Sequence, residues 1–255
     1  MSQSLSGKHA LVTGGGTGIG AATARWLAAQ GCQVTLLGRR MEPLKAVASE
    51  IGKAAFATTA DVNDFRALET AFGASRERFG RLDILVNNAG IAKGGPFLKN
   101  TDQDWADIFA TNLFSIVSTT KLALPGMLEA GWGRVVNVAS IAGLRGSPYT
   151  TAYTASKHAL IGLTRSLALE TFKKGVTVNA VCPGYVDTPM TDQTVANIQK
   201  LTGRSADEAR GEITKLGSQG RLLTSEEVAS AIGWLCQPDQ GAINGAAIPV
   251  GGDGF

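Results

Sequence analysis

Seven short apolar runs recur along this chain of 255 residues, and helical patterns fill most of the gaps between them. The runs are His9–Thr13, Gln33–Leu37, Ala54–Thr58, Ile84–Asn87, Arg134–Val138, Thr177–Val181 and Ala246–Val250. The helical patterns lie near Ile19–Gln30, Glu42–Ile51, Asn63–Phe79, Asp102–Leu128, Tyr153–Phe172 and Ser225–Leu235. Parallel strands need a long crossover between neighbours, so this alternation predicts an α/β fold, a parallel sheet with helices on both faces. Such sheets bind ligands beyond the carboxyl ends of their strands, near the point where strand order reverses. Gly14, Gly38, Asp61, Asn87, Ser140 and Pro183 all fall at or just after predicted strand ends. Residues far apart in sequence therefore converge on one edge of the sheet.

The first crossover reads HALVTGGGTGIGAATARWLAAQG, an apolar strand, a glycine-rich turn and a helix with Ala21, Ala24, Leu27 and Ala28 on its apolar side. Gly14, Gly18 and Gly20 permit a tight turn, a close backbone approach to a pyrophosphate and close packing of helix on strand. Free amides and the helix dipole at the helix start favour a phosphate anion. A plain strand–turn–helix also accommodates these glycines; their placement between strand and helix favours the phosphate reading.

A second pattern lies in SIAGLRGSPYTTAYTASK, where twelve residues separate Ser140 from Tyr153 and three separate Tyr153 from Lys157. Tyr153 and Lys157, four apart in a helical segment, project from one face. An ammonium beside a phenol favours the phenolate, lowering a pKa that starts near ~10. A hydroxyl from a neighbouring strand end can hold a carbonyl oxygen against that phenol, which makes a proton-transfer site for an alcohol or ketone. The plainer alternative is a Ser/Thr/Tyr-rich loop leading into an ordinary helix.

Taken together, these motifs resemble the short-chain dehydrogenase/reductases of roughly 250 residues, over nearly the whole chain. TGGGTGIG at Thr13–Gly20 resembles their cofactor loop, NNAG at Asn87–Gly90 the segment after their fourth strand, and CPGYVDTPM at Cys182–Met190 the loop beside the nicotinamide. Asp61-Val62 is similar to the adenine-contact pair; Ser140, Tyr153 and Lys157 match the catalytic residues, and Asn112 in ATNLFS the fourth member. The resemblance implies a single-domain, Rossmann-like, doubly wound parallel sheet over residues 1–255. It implies cofactor contacts from Gly14, Thr17, Gly18, Ile19, Gly20, Asp61, Val62, Asn88, Ala89, Gly90, Tyr153, Lys157, Pro183, Gly184, Val186 and Thr188. It also implies that Tyr153 is the general acid in ketone reduction, with Lys157 lowering its pKa and holding the nicotinamide ribose. Ser140 would polarise the carbonyl, and Asn112 would anchor a water relay to Lys157. On its residues alone, Asn112 reads as a helix-interior asparagine satisfying a backbone group.

Cofactor choice rests on VTLLGRR at the second strand's end. Enzymes using NAD usually place a carboxylate there for the ribose hydroxyls. Here Gly38 leaves room for a 2′-phosphate and Arg39 can pair with it through a planar fork of donors, so NADP(H) is expected over NAD(H). An ordinary solvated turn of Arg39 and Arg40 is the alternative, and Thr17 stands where many NADP-using members carry a basic residue.

Composition mostly excludes. With 44% hydrophobic residues the chain can bury a substantial core. A formal charge of +3, with basic residues scattered, predicts no nucleic-acid surface. No apolar run is long enough for a membrane span, and no apolar signal core precedes the first strand. Cys32, Cys182 and Cys236, odd in number and far apart, fit a reducing cytoplasm. Beside them stand only His9 and His158, with no metal-ligand spacing, so no metal is expected.

Residues 191–220 interrupt the β–α rhythm with two short helical patterns, Val195–Leu201 and Ala206–Lys215. A polar insertion without a core role beside a cofactor loop predicts a substrate lid, with a solvated surface excursion as the alternative. The pocket is expected to draw on Ile91–Leu98, Ile141–Ser147, Tyr149, Tyr185 and this lid. Arg145 there reads as a carboxylate or phosphate contact, or as a surface residue. TASKHALIGLTRSLALE and VTVNAVCPGYVDTPM are especially similar to the family's 3-oxoacyl and polyketide ketoreductases, which implies a ketone or acyl-thioester carbonyl substrate. The long lid points to a bulky one, such as an acyl-CoA or cyclic ketone. The alternatives are an NAD-dependent secondary-alcohol or 3-hydroxyacyl-CoA dehydrogenase, and a non-catalytic NADP-binding regulator. Surplus apolar residues on two helices (Leu113, Phe114, Ile116, Leu160, Leu163, Leu167) suggest a partner subunit, and the family resemblance implies a homotetramer, with a homodimer as fallback.

Overall fold

All seven expected strands form, and all pair in parallel: β1 (His9–Thr13), β2 (Gln33–Gly38), β3 (Ala55–Thr59), β4 (Ile84–Asn87), β5 (Gly133–Val138), β6 (Val176–Pro183) and β7 (Ala247–Val250). The structure is a computed structural model and describes residues 5–215, 217 and 220–251. Strand order is β3-β2-β1-β4-β5-β6-β7, so the winding reverses between β1 and β4. This is a doubly wound, Rossmann-like sheet.

Side chains alternate between the two faces of each strand, and both faces of the inner strands β1, β4, β5 and β6 are buried, as a parallel sheet flanked by helices requires. Ala10, Val12, Ile84, Val86, Val136 and Val138 point into one cluster with Leu27 and Ile232. Their neighbours Leu11, Leu85 and Val135 point into the other, with Leu68, Phe72 and Met127. The first cluster lies under α1 (Gly18–Ala29) and α9 (Ser225–Cys236). These two helices pack so closely that a Cβ on Gly233 would lie 2.3 Å from the Trp26 ring. The second cluster lies under α3 (Phe65–Phe79) and α5 (Ser115–Glu129). The remaining elements are α2 (Met41–Ile51), α4 (Asp102–Phe109), α6 (Thr151–Thr171), α7 (Pro189–Thr202) and α8 (Ala206–Lys215).

Several details differ from expectation for identifiable reasons. A 3₁₀ turn over Gly52–Ala54 delays β3 by one residue. Asp64 accepts the Ala67 amide at 3.1 Å and so caps α3, which starts at Phe65 rather than Asn63. The single helix expected over Asp102–Leu128 is two, joined by a π-helical segment at Ala110–Phe114. The first helix of the 191–220 insertion begins early, at Pro189, which suits a first helical position because it needs no amide partner. Nor is the insertion coreless: Val195, Ala209 and Ile213 are buried together, with Tyr185, Ile198 and Leu222 packed against them. Within the expected lid, residues 216, 218 and 219 lie outside the described residues.

Candidate active site

The crevice between β1 and β4 is built around Thr13. Its Oγ1 accepts the backbone amides of Asn88 (2.9 Å) and Ala89 (3.0 Å). In return the Asn88 side chain donates to the carbonyls of Thr13 (2.9 Å) and Gly14 (3.3 Å). The brace locks the glycine turn against the NNAG segment.

Within the turn, Gly14 and Gly18 have positive φ, 65° and 51°. A Cβ on Gly20 would stand 2.2 Å from the Gly14 carbonyl oxygen. The first turn of α1 opens at Thr17, whose side chain makes no cap. Without that cap, the first amides of the helix suit an anion. Ile19 leans back against the core, and Gly18 faces Thr188 across the crevice, where a Cβ would lie 3.0 Å from the threonine methyl. Arg39 is exposed at the end of β2, and a Cβ on Gly38 would meet only Leu44, at 3.5 Å. These features fit a phosphorylated dinucleotide.

Other expected contact residues are engaged within the fold. Val62 and Val186 are buried in the two core clusters, and Pro183 at the end of β6 is buried as well. The Asp61 carboxylate accepts the Asn63 amide at 3.0 Å and holds its own turn. The Gly184 amide is bonded to the Val250 carbonyl at 3.0 Å.

β5 ends at Val138, and two residues on Ser140 caps the turn Ile141–Gly143, its Oγ accepting the Ala142 amide at 3.1 Å. α6 then presents Tyr153 to Ser140. Burial raises the phenol pKa, and the neighbouring Ser140 hydroxyl pulls it down. Lys157 is 5% exposed. Its Nζ donates to the Val138 carbonyl at 2.8 Å and lies 5.7 Å from the centre of the Tyr153 ring. Burial lowers its pKa to about 8. The expected depression of the phenol by this lysine is therefore absent in this arrangement, because the ammonium points at Val138 and burial dominates at Tyr153.

Asn112 sits in the π-helical segment, fully buried. Its Oδ1 accepts the Ile91 amide and its Nδ2 donates to the Ile91 carbonyl, both at 2.9 Å, with a further bond from Nδ2 to Ser156 Oγ at 3.1 Å. The side chain thus clamps the loop after NNAG to α6, as the backbone-satisfying alternative anticipated. A Cβ on Gly90 would lie 3.2 Å from Asn112 Oδ1 and 3.8 Å from Lys157 Nζ. Gly90, Asn112 and Lys157 thus meet at one point, and a side chain at Gly90 would press on the Asn112 carboxamide.

Sequence reasoning missed Val138 and Ser156, and placed Thr13 and Cys182 within motifs without giving either a role. The buried Cys182 thiol lies among these groups, and burial pushes its pKa up to about 11. His158 and Arg145 are exposed. Among the described residues no His/Cys/Asp/Glu cluster can hold a metal.

A hydroxyl, a phenol and a buried lysine at the C-terminal strand edge, beside a phosphate cradle, are the parts of a carbonyl-reducing site. The profile of the family described as short chain dehydrogenase matches residues 8–199. The chain belongs to this family. Among its members, a Streptomyces coelicolor protein with a provisional ketoacyl reductase name is 39% identical, the match covering 95% of each chain. A 3-oxoacyl-acyl-carrier-protein reductase of Haemophilus influenzae is 35% identical, covering 97% of this chain and 98% of the relative. A solved actinorhodin polyketide ketoreductase variant with NADPH superposes with a TM-score of 0.92 at 38% identity, covering 99% and 98% of the two chains.

Proposed function

We propose that this chain is an NADPH-dependent ketoreductase acting on a 3-oxoacyl thioester or polyketide-like ketone. The observation that carries the reading is the meeting of Ser140, Tyr153 and Lys157 beside the glycine cradle. Bound at the cradle, NADPH supplies the hydride. Ser140 Oγ donates to the carbonyl oxygen and orients it. Tyr153, its proton held by burial at neutral pH, gives that proton to the oxygen as it becomes a hydroxyl. Lys157, on the same helix face as Tyr153, would hold the nicotinamide ribose, and Asn112 fixes the Ile91 loop.

NADP(H) is favoured because Gly38 and the exposed Arg39 stand where a carboxylate would select NAD(H), and the carboxylate on the adjoining strand end, Asp61, is engaged in its own turn. The insertion acts as the substrate lid. Arg210 on α8 pairs with Asp187 at 2.5 Å and Asp192 at 2.9 Å, tying the lid to the loop that carries Thr188.

The working form is a homotetramer in the cytoplasm. Of the apolar residues expected to remain uncovered, Ile116 and Leu160 are buried, but Phe114 is exposed, as are Leu169 and Phe172 on and beyond α6. Two surface helices with uncovered large side chains suit a subunit contact. Three free, buried cysteines suit a reducing compartment. No helix among the described residues is long and apolar enough to cross a membrane.

The test is steady-state NADPH oxidation with a panel of 3-oxoacyl thioesters and cyclic ketones. Turnover with at least one of them, and much weaker turnover with NADH, is expected. Oxidation with none would overturn the reading.

A further inference from the structure

Tyr149 is the only described non-glycine residue with a positive φ, 63°. It follows Pro148 in the turn Ser147–Thr150, where Thr150 Oγ1 donates to the Ser147 carbonyl at 3.1 Å. Proline pre-sets the second position of such a turn, and a third position with positive φ ordinarily takes glycine or asparagine. A tyrosine there is strained, and strain persists only where its surroundings hold it. They do hold it: the Gly95 amide donates to the Tyr149 carbonyl at 2.7 Å, and a Cβ on Gly94 would lie 3.3 Å from that oxygen. The turn that leads into α6 and Tyr153 is thereby tied to the loop that follows NNAG.

The ring gives the fold nothing visible in return. It is 68% exposed, and among the described residues it makes no ring contact and its hydroxyl no hydrogen bond. Beyond Gly95 the opposite loop carries two more uncovered apolar side chains, Phe97 at 60% and Leu98 at 94% exposure. A strained backbone that holds an unpacked aromatic ring four residues before the proton donor suits a ligand better than it suits the fold.

We infer that Tyr149 is a specificity-determining residue, whose ring forms the apolar wall at the mouth of the site and stacks on the part of the ketone beyond the reacting carbonyl. The ligand class is a ketone bearing a flat or bulky apolar group. The inference rests on ketone reduction at Tyr153.

Steady-state reduction of 2-tetralone and of cyclohexanone by wild type, Tyr149→Phe and Tyr149→Gly, with melting temperatures for all three, tests it. In Tyr149→Gly the preference for 2-tetralone should fall about tenfold, mainly through KM, which is what losing one aromatic contact amounts to. Tyr149→Phe should keep the preference, and Tyr149→Gly should melt no lower than wild type because glycine accepts the positive φ. A preference unchanged within about twofold in Tyr149→Gly, equal losses on both ketones, or a lower melting temperature for that variant would each overturn the inference. If the wild type reduces neither ketone although it turns over a 3-oxoacyl thioester, apolar bulk is not what the mouth selects and the inference fails alone. If it turns over no carbonyl at all, the ketone-reduction reading fails and takes the inference with it.

Discussion

Lys157 Nζ donates a 2.8 Å hydrogen bond to the Val138 carbonyl, which joins α6 to the last residue of β5. A buried ammonium on a backbone carbonyl is poorly solvated, and burial lowers its pKa to about 8. Lys157 is therefore charged below about pH 8 and loses its proton as pH rises through that value. If the charge serves catalysis, kcat/KM for NADPH should fall on an alkaline limb near pH 8, since kcat/KM reports groups of the free enzyme. Lys157→Arg, whatever its activity, should lack that limb, because a guanidinium does not titrate there. A pH profile of the arginine variant with the same limb would assign it elsewhere.

Thr13 offers a second test, of the brace between β1 and NNAG. Thr13→Val keeps the shape and removes the acceptor for the Asn88 and Ala89 amides. Two partly buried amides without a partner should cost about 2 kcal/mol in urea unfolding. NADPH affinity should weaken as well, because the glycine turn loses its anchor. Thr13→Ser should restore most of both. Unfolding midpoints and dissociation constants for the two variants decide it.

Arg39 should set the cofactor preference. A charged hydrogen bond to phosphate is worth ~1.5–3 kcal/mol, or roughly 10- to 150-fold in affinity. Arg39→Ala should weaken NADPH by about that factor and leave NADH nearly unchanged. Gly38→Asp should go further, since the site has room for a Cβ and the new carboxylate repels the 2′-phosphate. Wild-type protein that binds NADH as tightly as NADPH would make Arg39 a surface residue.

His9, buried below the sheet edge, should make folding sensitive to acid. Its Nδ1–H donates to the Gly80 carbonyl at 3.1 Å, so Nε2 is the acceptor facing the Thr35 and Ser75 hydroxyls at 3.0 and 3.1 Å. Burial lowers its pKa, against smaller opposing effects of Gly80 and Asp83. The unfolded chain therefore binds the proton first. Stability is full above about pH 6.5, the ordinary histidine value, and is lost as pH falls below it. Urea midpoints at pH 7.5 and 5.5 should diverge more for wild type than for His9→Gln.

Much of this was legible in the sequence. The strands stood out as short apolar runs between helical patterns, and the cofactor turn because Gly14, Gly18 and Gly20 occupy places where a side chain collides or the backbone turns left-handed. Continuous periodicity over Asp102–Leu128 hid the π-helical segment, whose bonds run from Asn112 to Ile91, 21 residues away. The i, i+4 spacing correctly paired Tyr153 with Lys157 on one helix face. It could not say that a four-carbon side chain swings to Val138. The polar average of 191–220 likewise concealed the Val195, Ala209 and Ile213 cluster, which forms only when two helices fold together.

The most direct test of ketone reduction at this site is single-turnover oxidation of bound NADPH by Tyr153→Phe with a ketone the wild type accepts. The variant keeps the ring and removes only the proton donor. The NADPH dissociation constant should stay within about twofold of wild type, while the transfer rate falls on the order of 10²–10⁴-fold. A phenylalanine variant that still transfers hydride at more than about a tenth of the wild-type rate would contradict the account.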